Sequence, residues 1–529
     1  MIIPMMKNVY FKIKEFWVKN KKELIILFMT MLVVYTPFLT GQLNNADGFI
    51  NGVIAHKKNY DWENSQGRFL IGWFDRWRDR MVQPSLIIGV CLMLLCLVVS
   101  VIWYIFDCYS MVEKLCIGAI LVFSPSIADL FTYYYCADSY MLSYLLAVIA
   151  AALLIKGEKK RTTIGSAVLL IISLAIYQTY IGITASLCCI YLLLEILNGK
   201  ELKILFKKAL RMALAGGGAC AAYLLILKVL EKIGYLQMTA TRGMNYMLSG
   251  AFLGLKDTMK NAYVVFYDYF LTERILTNSW QYRWYLNGIV LCFLLMLCIV
   301  LIVHNRIYRS IKRTLLTVFL IVVMPLMIDL VVIIAPAANV YAETGMLMLA
   351  GMNLIYVLLV LLVFHCNRNE ILEKAISKFS KLTIILIIIN QIIFIGIFIR
   401  TIQLEQTKTQ MLAYQMENRI EEFEDYHSGC KVLVAGRPQN GNYPITDQNL
   451  KNITHGMISQ YTLVFGAEEQ VSEGWISVFQ YFLGVNYETV YEEERTEILS
   501  SEEFAKMGIF PDQTSVKKFN DTIVIKLSN

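Results

Sequence analysis

Ser85-Leu-Ile-Ile-Gly-Val-Cys-Leu-Met-Leu-Leu-Cys-Leu-Val-Val-Ser-Val-Ile-Trp-Tyr-Ile-Phe106 runs for 22 residues without a charge. At about 1.5 Å rise per helical residue it covers about 33 Å, the apolar thickness of a bilayer. Further apolar runs fall at 24–40, 115–131, 139–155, 162–178, 180–197, 212–230, 284–303, 314–336, 345–364 and 382–400. Together they predict roughly eleven spans. Composition agrees: the 529 residues are 57% hydrophobic and 17% charged, with a mean hydropathy of +0.54. Soluble domains average about 45–50% apolar and about 25% charged. The expected fold is therefore mainly α, a polytopic transmembrane helical bundle. A secreted enzyme, a DNA-binding protein and a cytosolic metalloenzyme are disfavoured.

Charge divides the chain near residue 400. Residues 401–529 hold 10 basic and 19 acidic side chains, whereas 1–400 hold 38 and 22. The basic excess lies in short clusters between apolar runs, which argues for membrane topology and against nucleic acid. Six lysines (Lys7, Lys12, Lys14, Lys19, Lys21, Lys22) precede the first run, and no small-residue cleavage site follows it, so the run reads as an anchor. Later basic clusters at 156–161, 200–211, 306–313 and 368–381 all fall on one side if the N-terminus is cytoplasmic. Eleven spans then place the acidic tail outside a plasma membrane, with long outside loops at 41–84 and 231–283.

The tail begins with a polar helical stalk (403–425). A strand at Lys431-Val-Leu-Val-Ala-Gly436 and a hairpin over 516–527, turning at Asn520-Asp521, predict a small α/β domain. The domain boundaries are thus 1–400 and 401–529. Most of the 12 cysteines lie in apolar runs, and neither a C-x-x-C pair nor an H-E-x-x-H motif occurs. Zinc chemistry has no support.

Candidate chemistry concentrates on the outside loops. Asp47, in Gln42-Leu-Asn-Asn-Ala-Asp47-Gly, follows the first span and reads as a helix N-cap, a general base at the bundle mouth, or both. Phe69, Leu70, Trp73, Phe74 and Trp77 recur at helical spacing over 66–82, predicting a helix that lies in the membrane interface or packs on another loop. Gly67 permits a turn before it, and Arg68 at its start is either a phosphate ligand or a snorkelling cation. Asp138 opens the fourth span after three tyrosines. Tyr177-Gln178 puts an amide at membrane depth, lining a polar cavity or bonding a neighbouring helix. Asp329 is the one carboxylate deep in an apolar run, and Arg242 is a spare phosphate ligand.

This order of motifs, with the ending Phe510-Pro-Asp-Gln-Thr-Ser-Val and Asp521-Thr-Ile-Val-Ile-Lys-Leu, resembles the bacterial serotype-converting glucosyltransferases (the GtrII-like group). That group belongs to the GT-C class of polytopic glycosyltransferases. The resemblance implies a polyprenyl-phosphate-sugar donor, a surface polysaccharide or other envelope acceptor, and action on the outer face. It also implies glucose as the sugar and Asp47 as base. Arg68 would steady the departing lipid phosphate, with Asp138, Tyr177, Gln178 and Arg242 as further substrate contacts. Inversion at the anomeric carbon and no obligatory metal ion or cofactor are expected. Two other classes fit the same sequence: a polymerase or ligase using lipid-linked oligosaccharide, and a non-enzymatic transporter of lipid-linked sugar.

Overall fold

The computed structural model describes residues 2–41, 43–45, 48, 60–79, 81–238, 254–272, 285–334, 345–365, 371–424, 426–427, 429–436 and 468–528. The first helices are α1 (Ile2–Thr40), α2 (Asp61–Ser65), α3 (Ile71–Phe74) and α4 (Pro84–Ile105). There follow α5 (Met111–Val122), α6 (Pro125–Leu130), α7 (Ala137–Lys156), α8 (Lys160–Ile176), α9 (Ile181–Leu197) and α10 (Leu202–Lys232). The second half contains α11 (Leu255–Leu271), α12 (Tyr285–His304), α13 (Ile311–Ile328), α14 (Leu330–Ile334), α15 (Asn353–His365) and α16 (Ile371–Ile420).

Among the described residues, eight helices are long and apolar enough to cross a membrane. They lie within α1, α4, α7, Gln178–Leu197, α10, α12, α13 and α16. The other three apolar runs form shorter helices. The run at 115–131 divides at Ser124-Pro125, where the Ser124 hydroxyl accepts from Ser126 N at 3.2 Å and Pro125 opens α6. The run at 162–178 gives the 17 residues of α8, and the run at 345–364 gives a 3₁₀ segment (Gly345–Met352) followed by α15. Helices α7 and α9 are the most enclosed, and α10 packs at the periphery with most of its surface exposed.

The interfacial segment departs from its expected form. It is not one helix over 66–82 but a positive-φ turn at Gly67, the single turn α3, and a 3₁₀ turn at Asp75–Arg78 ending at Asp79 with φ 51°. Of the five spaced apolar residues only Trp73 and Trp77 are exposed, 60% and 54%, whereas Phe69, Leu70 and Phe74 pack against the core. Among the charged residues of this stretch, Asp75 and Arg78 are buried. Their pairing with the start of α7 breaks the helical register.

Helix α16 runs unbroken for 50 residues, about 75 Å, so it crosses the apolar layer and continues as the stalk. On its far end sits a three-stranded sheet in the order β1-β3-β2, from β1 (Lys431–Ala435), β2 (Val516–Phe519) and β3 (Thr522–Lys526). β1 and β3 are parallel; β2 and β3 form the hairpin, with Asn520 at φ 51°. Helix α17 (Glu468–Leu483) packs between this sheet and the stalk. Met416 and Ile420 of α16 share one core with Val432, Trp475, Phe479 and Ile525. The domain is thus fused to the stalk by apolar burial.

Candidate functional site

The turn Phe131–Cys136 and the first turn of α7 organise one end of the bundle. Asn45 N donates to Thr132 O at 3.1 Å, and the Tyr134 hydroxyl donates to Phe38 O at 2.6 Å. Three consecutive residues of α7 then hold three parts of the 60–81 segment. Asp138 Oδ2 accepts from Arg78 Nε and from Trp77 Nε1, each at 3.1 Å. Ser139 Oγ donates to Asp75 Oδ1 at 3.1 Å, and the Tyr140 hydroxyl accepts from Arg68 Nη1 at 2.8 Å.

Arg78 lies between two carboxylates. Besides Asp138 it meets Asp75 Oδ1 at 2.9 Å, and it donates to the carbonyls of Tyr135 and Met81 at 2.5 and 2.7 Å. The Tyr60 hydroxyl donates to Asp75 Oδ2. Burial pushes the Asp75 carboxyl up to about 6, with Asp138 adding to the rise and Arg78 opposing it. Asp138 Oδ1 is buried with no hydrogen-bond partner.

Arg68 is built differently. Its guanidinium lies 4.9 Å from the Tyr177 ring centroid and 5.8 Å from that of Tyr140, and the two rings stack at 4.1 Å. Its Nε is buried and makes no hydrogen bond; neither do Oε1 and Nε2 of the buried Gln66. Helix α3 has only four residues, so little dipole stands behind this site and the side chains themselves must hold an anion. A cation with an uncommitted N–H, a neighbouring amide and aromatic walls suits a phosphate oxygen.

The turn carrying Arg68 is locked from behind. Gln178 Nε2 donates to Gln66 O and to the Tyr223 hydroxyl, both at 2.8 Å, and that hydroxyl donates to Gly67 O at 3.0 Å. Gly67 has φ 83°, and a Cβ there would lie 2.5 Å from the Tyr223 oxygen. Gln178 and Tyr223 also close one end of an apolar cavity of about 600 Å³ bounded by α8, α9, α10, α13 and α14. It extends to Leu154 and Ala209 at the opposite, lysine-rich end of the bundle, and Gly216 and Gly217 of α10 form part of its wall.

Asp47 and Arg242 lie outside the described residues. The flanks of Asp47 are described: Asn45 Oδ1 accepts from Gly48 N at 2.7 Å, and Asn44 is buried. The structure therefore brings Arg68, Asp138, Tyr177 and Gln178 around one end of α7. Asp329 caps α13, buried, with neither carboxylate oxygen hydrogen-bonded, and it does not join that cluster. Among the described residues no group of three His, Cys, Asp or Glu side chains could hold a metal ion.

Sequence reading missed Arg78, Asp75, Tyr140 and Tyr223. Tyr223 had a usable signal, as the only hydroxyl-bearing residue between Met212 and Leu227. Arg78 had none, since the alternating Arg-Trp-Arg-Asp-Arg run looks solvated. The family model described as Glucosyl transferase GtrII matches residues 53–364, which contain α2 to α14 and all the polar contacts made by Arg68, Arg78 and Gln178. No curated protein and no solved structure matches the chain.

Proposed function

The chain belongs to the GtrII glucosyltransferase family, and we propose that it takes glucose from a polyprenyl-phosphate carrier and places it on a glycan of the cell envelope. The observation that carries this reading is the continuity between the 600 Å³ apolar cavity and the Arg68 turn, which share Gln178 and Tyr223. A long isoprenoid chain needs an apolar slot within the bilayer. Its phosphate needs a cation close to the slot, and Arg68, with an uncommitted N–H, follows the turn that Gln178 and Tyr223 of the slot's lining hold. A nucleotide-sugar donor would have no use for the slot.

In the proposed reaction Asp47 takes the proton of the acceptor hydroxyl as that oxygen forms its bond to the anomeric carbon. The carbon–oxygen bond to the lipid phosphate breaks, and the departing phosphate keeps the electron pair. Arg68 stabilises the charge that develops there. Attack opposite the leaving group inverts the anomeric centre. Asp138 and Tyr177 act through position: one fixes Arg78 and the interfacial turn, the other forms the aromatic floor under Arg68. Arg242 is retained as a secondary phosphate contact. The positive clusters at 156–161 and 306–313 support a cytoplasmic N-terminus, which puts the site on the outer face.

Asp47→Asn tests the assignment. The full-length variant should insert into membranes at wild-type levels and lose sugar transfer by about 10²-fold or more, the range expected for removing a general base. Near-wild-type transfer would remove Asp47 from the mechanism.

A further inference from the structure

Asn44 joins the C-terminal domain to the loop that leads into Asp47. Its Nδ2 donates to the Tyr481 hydroxyl at 3.2 Å, and its carbonyl accepts from Gln406 Nε2 at 3.3 Å. Tyr481 is on the last turn of α17, and Gln406 is on the stalk portion of α16, so both contacts cross more than 360 residues of sequence. Asn44 is 1% exposed and packs tightly against Gly48, where a Cβ would come within 2.4 Å of Asn44 Oδ1. The next residue, Asn45, is fixed to Thr132 and closes on Gly48. The flanks of position 47 are thereby held from three directions: the Phe131–Cys136 turn, the stalk and the C-terminal domain.

From this arrangement we propose that Tyr481 and Gln406 are positioning residues for sugar transfer, acting through Asn44, and that the C-terminal domain is a structural wall of the reaction centre. The inference rests on the reading of Asp47 as base and deepens it. Both are assigned a role through Asn44 and not in the bond-making step. Each holds Asn44, three residues before Asp47, and small displacements of a reacting group cost rate steeply. Because the domain shares its core with α16, its position is transmitted to Asn44 without a flexible joint.

The test uses full-length protein in vesicles supplied with a polyprenyl-phosphate-glucose donor. Tyr481→Phe keeps the ring and removes the hydroxyl. It should lower kcat about tenfold while the donor KM stays within about twofold. Gln406→Met, whose side chain has no amide to donate, should act in the same direction and serves if Tyr481→Phe folds poorly. Combining Tyr481→Phe with Asn44→Ala should cost no more than Asn44→Ala alone, because both remove one contact. Wild-type kcat per folded molecule in both Tyr481→Phe and Gln406→Met, or losses that multiply in the double variant, would overturn the proposal. A slow Tyr481→Phe beside an active Asp47→Asn would reject the base and, with it, the proposal that Tyr481 acts by positioning it. A wild-type Tyr481→Phe beside an inactive Asp47→Asn would reject the clamp and leave the base standing.

Discussion

At Asp75 two carboxylates compete for one arginine in a site closed to water. Burial raises the Asp75 carboxyl to about 6 from the ordinary 3.8, so between about pH 4 and about pH 6 the folded protein binds more protons than the unfolded chain. The stability this residue contributes therefore falls as pH rises through that window and is constant above it. Asp75→Asn has no such titration. The unfolding temperature of wild type relative to Asp75→Asn should thus be more favourable at about pH 4.5 than at about pH 7. A difference that does not change with pH would contradict the burial argument. This residue illustrates where sequence reading stops. Asp75 and Arg78 sit in a charged, aromatic stretch that reads as a solvated helix face, and only the approach of Asp138 from 60 residues away turns them inward. Arg68 and Gln178 were legible because a lone cation after a glycine, and an amide at membrane depth, each demand a partner.

On the level of elements, apolar runs located all eight described helices long enough to cross a membrane, and the strand signals at 431–436 and 516–527 fell on β1, β2 and β3. The 17-residue α11 was missed, because its stretch mixes charged and aromatic residues and reads as part of the loop 231–283. What sequence could not supply was the shape of the 60–81 segment. Its aromatic spacing follows a helix, but Gly67 and the buried salt bridges break that helix into single turns. Gly67→Ala should expose how far the turn depends on its glycine. The substitution forces an L residue to φ 83° and drives its methyl against the Tyr223 hydroxyl. A cost of about 1–3 kcal/mol is expected, seen as a lower unfolding temperature in detergent. Adding Tyr223→Phe removes the clashing oxygen, so the double variant should lose less than the sum of the two single losses. Strict additivity would show that the two residues do not meet.

Over the whole molecule, the start of α7 is the point where the bundle, the interfacial turns and the loop after α1 converge, and the C-terminal domain reaches the same place through Asn44. Charge patterning predicted a boundary near residue 400 and an outward-facing tail, whereas α16 runs unbroken through that position. It could not anticipate that the tail's core would include the end of the last long helix, since that contact depends on the unbroken length of α16. The cavity between α8 and α13 was likewise invisible in sequence, because the glycines at 216–218 read as ordinary small residues of a span. In the fold Gly217 faces open space along the cavity wall, with no atom within 4 Å of where its Cβ would be.

Donor kinetics test the central claim most directly. Purified protein in bilayer vesicles should transfer glucose from a long-chain polyprenyl phosphate to a glycan acceptor. Gly217→Leu should raise the KM for that donor about tenfold, as expected for about 1.4 kcal/mol of lost chain burial, and leave a short-chain donor of the same headgroup unaffected. Transfer from a nucleotide sugar in the absence of any lipid carrier, or an unchanged long-chain KM in Gly217→Leu, would contradict the account.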